Sequence, residues 1–278
     1  MKYQLPHPVL KDGYENFFPE DQLYAVEHNL ETLIPWLKYV ENPLNRKVLI
    51  FGTGSGGTTV ACALNIGNGL VTGVDINDIE IFKTGKRAEA YKVRDKVDLQ
   101  HLNKSYPLPF GDESFDIAIL ASVIEHIVDE RGKYIREVFR VVKKSGVIMI
   151  SGTPNLLYPK DRHTTNLFFV PWMPDKSAYK YAVKRKRWKE GEDLEYAGRR
   201  GITYFKLKSY LKGSSYKILN ESPGFTCNYL RTTNRINSKK RKILFPIYSI
   251  TEKFLAYTFK LPIAAFMPYL NHIFIRKF

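Results

Sequence analysis

The chain has 278 residues, of which 44% are hydrophobic, and its formal net charge is +15. This length and apolar content supply a core for one or two domains. Its two cysteines, Cys62 and Cys227, lie far apart without metal-ligand spacing, and they imply no disulfide framework. The first residues carry no apolar signal segment, so we expect a cytoplasmic protein.

The positive charge is concentrated in the second half of the chain. Residues 1–175 hold 20 Lys and Arg against 22 Asp and Glu, a net of −2, whereas residues 176–278 hold 23 against 6, a net of +17. Such a block predicts a partner with phosphates, which can be nucleic acid, anionic lipid or a phosphorylated small molecule. The alternative is a solvated basic surface without a partner.

Hydrophobic periodicity predicts alternating helices and strands over the first 151 residues. Residues 20–40 show helical spacing, with Glu20 and Asp21 in the first turn and a kink expected at Pro35. The pattern then predicts strands at 47–51, 70–75, 97–102, 115–121 and 146–151, and helices at 57–66, 78–92 and 129–143. This alternation favours a parallel sheet with helices on both faces.

A glycine-rich turn follows the first predicted strand. Residues 48–57 read VLIFGTGSGG, and Asp75 ends the next predicted strand nineteen residues after Gly56. Glycine lets the backbone bend with positive φ and approach a ligand closely, because it has no Cβ. A carboxylate at the following strand end can accept hydrogen bonds from both hydroxyls of a ribose. The pair therefore predicts a nucleoside-binding site.

Two later stretches complete an ordered set of motifs. Residues 107–127 read PLPFGDESFDIAILASVIEHI, and residues 146–155 read GVIMISGTPN. Together with the GxGxG turn, they resemble class I S-adenosylmethionine-dependent methyltransferases of the small-molecule or glycan type, methyltransferase-11/23-like. The resemblance covers roughly residues 45–160.

The resemblance implies an α/β fold with a Rossmann-like, seven-stranded, mostly parallel sheet, helices on both faces and an antiparallel last strand. The last two strands fall at 215–220 and 272–278. We expect an N-terminal helical segment at 1–44 and a methyltransferase domain at 45–278, with insertions at about 154–200 and 225–271.

The resemblance also implies S-adenosylmethionine as cofactor. The residues expected to bind it are Gly52, Thr53, Gly54, Gly56, Asp75, Ile76, Asn103 and Ser122. Two positions depart from the family pattern, since Ile50 and Asn103 stand where an acid is frequent. The catalytic candidates are His126 and His163, with helix capping, packing or surface exposure as their alternatives. Because Ser122 occupies the position where some RNA-end methyltransferases carry an extra metal-binding acid, no metal is predicted.

We expect methyl transfer to an oxygen of a small polar or lipid-linked acceptor, such as a glycan sugar or a phenol. The alternatives are an RNA methyltransferase that uses the basic second half, and a non-catalytic S-adenosylmethionine-binding module. Residues 239–268 place a basic cluster beside an apolar, aromatic segment. Such a segment suits an anionic membrane surface, here the inner face, or packing on the sheet or on a second subunit. A nucleic-acid partner ranks lower, and the oligomeric state is left open.

Overall fold

The computed structural model describes residues 17–19, 22–104, 106–233 and 239–278, without the side chains of 239–241. Glu20 and Asp21, which we expected in a first helical turn, lie outside the described residues. The chain forms two compact units. The first unit comprises Met1–Ala121, Glu137–Met149 and Lys277–Phe278, and the second comprises Ser122–Arg136 and Ile150–Arg276. The predicted division into segments 1–44 and 45–278 stays a prediction.

Nine strands are found in the described part of the chain. They are β1 (Lys47–Phe51), β2 (Leu70–Asp75), β3 (Val97–His101), β4 (Phe115–Ala121), β5 (Val142–Ser151), β6 (Thr153–Pro154), β7 (Tyr216–Ile218), β8 (Tyr269–Leu270) and β9 (Ile273–Lys277). Seven of them form one sheet in the order β3-β2-β1-β4-β5-β9-β7, while β6 and β8 pair antiparallel in a small second sheet. The large sheet is mostly parallel with an antiparallel strand, which confirms the predicted fold class. The predicted bounds of β1, β2 and β4 are confirmed, and β5 begins four residues earlier than predicted.

The helices follow the predicted alternation, with one difference near the start. They are α1 (Ala25–Thr32), α2 (Ile34–Val40), α3 (Gly57–Ala63), α4 (Asp78–Ala90), α5 (Arg131–Val141), α6 (Asp175–Lys184), α7 (Tyr204–Tyr210), α8 (Phe225–Thr232) and α9 (Lys239–Phe259). The prediction of one kinked helix over 20–40 is therefore wrong, because two separate helices meet at Leu33. Pro35 lies in the first turn of α2, where its missing N–H costs nothing, whereas inside one long helix its ring would clash with an earlier carbonyl.

The core of the first unit lies on both sides of β1, β2 and β4. Val48, Leu49 and Ile50 are fully buried in succession, as expected for a strand covered on both faces. β1 pairs in parallel with β2 and with β4, and Val48 lies opposite both Val71 and Ile117. The carboxyl ends of these strands therefore lie at one edge of the sheet, which is where the loops of the predicted site begin.

Asp116, one of the motif residues, has a structural role at the opposite edge. Its Oδ2 accepts a hydrogen bond from the Lys47 backbone N–H at 2.8 Å, and its Oδ1 accepts one from Lys143 Nζ at 2.8 Å. Burial alone would raise the pKa of Asp116, but the bonds from Lys143 and Lys47 outweigh it and lower the pKa. The carboxylate thus ties the start of β1 to β4 and β5.

The loop before β4 is clamped to α5 by ion pairs. Arg140 donates to the carbonyl of Phe110 at 2.9 Å and pairs with Asp112 and Glu137. Glu137 in turn accepts from the Leu108 N–H at 2.9 Å. Asp112 of the PLPFGDESFD motif therefore helps to fix this loop to α5.

The second unit contains both predicted insertions. Within the first of them, Val170, Ala178, Ala182 and Leu194 form a small buried cluster around α6. Within the second, α9 is attached to α8 through Glu252. Among the residues that the structure describes, no helix has the length and apolar character required to cross a membrane.

Candidate active site

The glycine turn has the backbone geometry that its sequence predicts. Gly52, Gly54 and Gly56 have φ of 77°, 48° and 86°, which are backbone angles that residues with a Cβ rarely adopt. The backbone N–H groups of Gly52 and Thr53 both donate to the carbonyl of Val74, at 2.9 and 3.0 Å, and fix the turn to the end of β2. A Cβ added to Gly54 would meet no heavy atom of the described residues within 4 Å, whereas one on Gly56 would meet Thr84 at 2.9 Å. Gly54 thus borders open space, and Gly56 permits close packing.

Asp75 lies at the tip of β2 and contacts this turn directly. Its Oδ2 accepts a hydrogen bond from the Gly54 N–H at 2.9 Å, and its Oδ1 accepts one from the Asn77 N–H at 3.0 Å. Each carboxylate oxygen can accept more than one hydrogen bond, so both retain capacity for a ligand hydroxyl. The side chain is half-buried and held in place by the two amides. The structure therefore brings together Gly54 and Asp75, as predicted.

Thr84 is a residue of this site that sequence reasoning missed. Its fully buried hydroxyl donates to the Gly54 carbonyl at 2.9 Å and lies 2.6 Å from the hydroxyl of Thr53, which was predicted to bind the cofactor. Thr53 is itself buried and therefore supports the turn from behind. No spacing rule marks Thr84, because it lies inside α4 and reaches the turn only through the packing of that helix.

The remaining predicted cofactor contacts of the first unit follow the ends of β2 and β3. Ile76 is 61% exposed directly after Asp75, and Asn103 is exposed two residues after the end of β3. The Leu102 N–H donates to the Asp75 carbonyl at 2.8 Å and links the two strand ends. An open glycine surface, a held carboxylate, an exposed apolar side chain and a nearby amide together suit the methionine, ribose and adenine groups of S-adenosylmethionine.

The other predicted residues lie in the second unit, where Ser122 and His126 follow closely after β4 and His163 comes after β6. Ser122 has a φ of 53°, and its N–H donates to the Ser151 carbonyl at 2.8 Å. His126 follows in a short 3₁₀ turn, and its Nδ1 lies 2.8 Å from the Tyr196 carbonyl. A carbonyl only accepts hydrogen bonds, so Nδ1 carries the proton of the neutral ring and Nε2 is left as an acceptor.

His163 lies beside His126, with ring centroids 6.0 Å apart. Asp161, which is buried, holds its turn by accepting from the N–H groups of His163, Thr164 and Thr165 at 2.8–3.0 Å. Burial alone would raise the pKa of Asp161, but these bonds and those from the threonine hydroxyls lower it. The pKa of His163 is lowered by its burial and by the neighbouring His126, which favours its neutral form. The two predicted catalytic histidines are thus brought together.

Glu125 completes this group and was absent from the predicted site residues. Its side chain is fully buried, and neither carboxylate oxygen has a hydrogen-bond partner within the described part of the chain. Burial raises its pKa to about 7. The buried Thr153 hydroxyl and the Arg131 cation favour the ionised form, but Thr153 is not aligned for a hydrogen bond. The EH pair in the sequence was the available signal for this carboxylate.

Arg131 holds the segment around these residues in place. Its guanidinium donates to the carbonyls of Ile127, Gly201 and Arg200 at 2.5–2.7 Å. One ligand atom each of Glu125, His126 and His163 lies within 4.8 Å of the other two. A carboxylate and two imidazoles at this separation can exchange protons with a bound acceptor, and they are also a donor set that suits a divalent metal. The prediction that no metal binds here stays untested.

Comparisons with known proteins agree with this geometry. Residues 49–150 match the sequence profile of the family described as "Methyltransferase domain". The chain is 33% identical to a Haemophilus influenzae protein over 38% of its own length and 41% of that protein. It is 29% identical to the ubiquinone/menaquinone biosynthesis C-methyltransferase of Geotalea daltonii, over 52% of this chain and 64% of the relative. The matches therefore span less than two thirds of either relative.

A solved structure from Galdieria sulphuraria, described as a candidate sarcosine dimethylglycine methyltransferase, shares the fold. Its TM-score is 0.52 at 14% identity, over 90% of this chain and 86% of that one. The sheet order, the glycine turn joined to Asp75 and the matched profile all agree. Residues 49–150 are therefore a class I S-adenosylmethionine-dependent methyltransferase domain, and S-adenosylmethionine is its cofactor.

Proposed function

We propose that the protein methylates the oxygen of a phenol-type hydroxyl on a small-molecule or lipid-borne acceptor. The observation that carries this proposal is the histidine pair of the second unit, in which His126 offers an unprotonated Nε2 next to His163. S-adenosylmethionine supplies a methyl group that its sulfonium already activates. What the chain must add is orientation of the acceptor and removal of one proton.

His126 is the proposed general base. The hydrogen bond from its Nδ1 to the Tyr196 carbonyl fixes the ring and stabilises the positive charge that develops when Nε2 takes a proton. His163, whose pKa is lowered by burial, is the proposed hydrogen-bonding partner of the acceptor. Glu125, with a pKa of about 7, is available to receive the proton from the histidine pair near neutral pH.

An imidazole base in general suits a phenol better than a sugar hydroxyl as the acceptor. A phenol has a pKa of about 10, so an imidazole can remove its proton in the transition state at moderate cost. A sugar hydroxyl is a far weaker acid and would need a stronger base. The relatives named ubiquinone/menaquinone biosynthesis C-methyltransferases methylate carbon by their names, so they support methyl transfer but not the choice of an oxygen acceptor. A glycan sugar remains the second acceptor class.

Two measurements test the proposal in sequence. Purified protein is incubated with methyl-labelled S-adenosylmethionine and separate lipid, glycan and RNA fractions, and we expect label in the lipid-extractable or small phenol fraction, with an O–CH₃ signal by NMR. His126→Ala should then lower kcat roughly 10²–10⁴-fold, with unchanged affinity for S-adenosylhomocysteine. His28→Ala, which removes an exposed histidine of α1, is the matched control and should change neither quantity.

Several outcomes would contradict the proposal. Label in the RNA fraction would support the nucleic-acid alternative, and a C–CH₃ product would reassign the attacking atom to carbon. Tight binding of S-adenosylhomocysteine without turnover on any fraction would support a non-catalytic module. A stoichiometric metal whose removal abolishes turnover would make the histidines ligands rather than bases.

A further inference from the structure

The long helix α9 presents an apolar stripe to solvent. Its members are Ile243, Ile247, Ile250, Phe254 and Tyr257, which are 67%, 64%, 69%, 58% and 68% exposed. Their spacing of 4, 3, 4 and 3 residues puts them on one side of the helix, within a sector of about 80° at 100° per residue. Scattered exposed apolar residues are normal on protein surfaces, but a contiguous row of five is not.

The opposite side of α9 carries its buried residues. Among the side chains of the helix that the structure describes, these are Ser249, Glu252 and Ala256. The Glu252 carboxylate accepts hydrogen bonds from the N–H groups of Thr226 and Cys227 at 2.7 and 3.0 Å, which are in the first turn of α8. These charge-assisted bonds fix which way the helix is turned. The apolar stripe is therefore outward because of Glu252, and its exposure is not the result of a loosely attached helix.

The exposed charges of α9 whose side chains the structure describes are both cationic. They are Lys242, which ends the sequence KKRK at 239–242, and Lys253 beside the stripe. Glu252 is the only acidic residue of α9, and it is buried on the far side. A cation near the start of a helix opposes the helix dipole, so Lys242 does not serve the stability of α9 itself. Lys242 and Lys253 fit an anionic partner instead.

We propose that α9 is a membrane-surface anchor that lies in the interface of an anionic bilayer with this stripe inserted. An interfacial helix needs an apolar row and a cationic rim, and α9 provides both. Such a helix does not have to be long enough to cross the bilayer. The face opposite the stripe is attached to α8 through Glu252, so the helix can lie flat on a bilayer while it stays packed on the protein. This proposal goes beyond methyl transfer and stands independently of the acceptor.

A second copy of this chain fits the stripe less well. Two copies paired through α9 would bring Lys242 or Lys253 of both copies to one interface, without an acid on the exposed side of either helix to compensate. Like charges across an interface oppose association. An anionic lipid surface turns the same cations into an attraction.

Vesicle co-sedimentation of the full chain tests the proposal. We compare vesicles of phosphatidylglycerol and phosphatidylcholine in equal parts with vesicles of phosphatidylcholine alone. The wild type should bind the mixed vesicles more tightly, and added salt should weaken this binding. Ile250→Glu, at the centre of the stripe, should reduce binding roughly tenfold or more. Lys253→Glu should reduce binding to the anionic vesicles roughly fivefold or more.

Phe205→Glu is the matched control, because Phe205 is a half-exposed apolar residue of α7 outside the stripe. It should bind vesicles like the wild type, and every variant should bind S-adenosylhomocysteine like the wild type, which shows that it is folded. The proposal fails if the wild type does not bind vesicles, or if Ile250→Glu binds them equally well. It also fails if the wild type is a dimer without lipid that Ile250→Glu converts to a monomer, or if the binding is to RNA rather than vesicles.

Discussion

Replacing Gly54 by alanine separates the cofactor surface from the stability of the fold. At a φ of 48°, an alanine costs about 1–2 kcal/mol of stability, because its Cβ approaches the neighbouring carbonyl. No heavy atom of the described residues lies within 4 Å of the added Cβ, so no packing penalty follows. If the cofactor lies on this open surface, the alanine side chain displaces the cofactor and breaks contacts worth about 1.5–3 kcal/mol. The Kd then becomes roughly 10- to 150-fold weaker.

Isothermal titration with S-adenosylhomocysteine measures the change in Kd, and urea unfolding measures the change in the free energy of unfolding. Gly213→Ala is the control, because Gly213 also has a positive φ and its Cβ would likewise meet nothing among the described residues. It should lose similar stability and bind the ligand normally. Gly56→Ala should lose a further 1–3 kcal/mol, roughly, because its Cβ meets Thr84. An unchanged Kd for Gly54→Ala would refute the assignment of this turn to the cofactor.

Three further predictions concern single side chains. Asp75→Ala should weaken S-adenosylhomocysteine binding by about 1.5–3 kcal/mol in the same titration, while Asp78→Ala, in the first turn of α4, should not; equal effects would remove Asp75 from the site. The pKa of Glu125 is raised to about 7, so the folded state binds the extra proton and stability falls as pH rises from about 4.5 to about 7, by up to about 3 kcal/mol. Glu125→Gln should lack this slope in urea unfolding at several pH values, and identical slopes would contradict the burial argument. Burial raises the pKa of Cys62 and of Cys227 to about 12, so a thiol reagent at pH 8 should label neither before unfolding; rapid labelling of the folded protein would show that they are accessible.

The alternation of elements in the first unit could be predicted because it depends on local pattern. Buried parallel strands such as β1 and β4 read as short continuous apolar runs, and their predicted bounds agree with the structure. The glycine turn and Asp75 were predicted together because the chemistry of a nucleoside site requires both within one strand–helix–strand unit. The break at Leu33 was not predicted, because helical spacing continues through it and Pro35 fits both a kink and a new first turn.

The candidate site was predicted in part. His126 and His163 were named separately, but their sequence positions do not show that they are neighbours. Nor do they show that Asp161 holds the turn that carries His163. Thr84 carried no sequence signal. The shifted pKa of Glu125 depends on burial, which is a property of the packed second unit and not of the EH pair alone.

The sequence by itself determined the fold class and the residues that share each helix face, because these follow from periodicity over short distances, and its resemblance to a known family implied the cofactor. Only the tertiary structure decided that Glu125 meets the two histidines and that α9 turns its isoleucines outward. α9 has apolar residues on all sides, with Phe245, Tyr248 and Leu255 away from the stripe, so periodicity cannot say which face is covered. The bond from Glu252 to the amides of α8 makes that choice, because a buried carboxylate must find its donors wherever the packing supplies them.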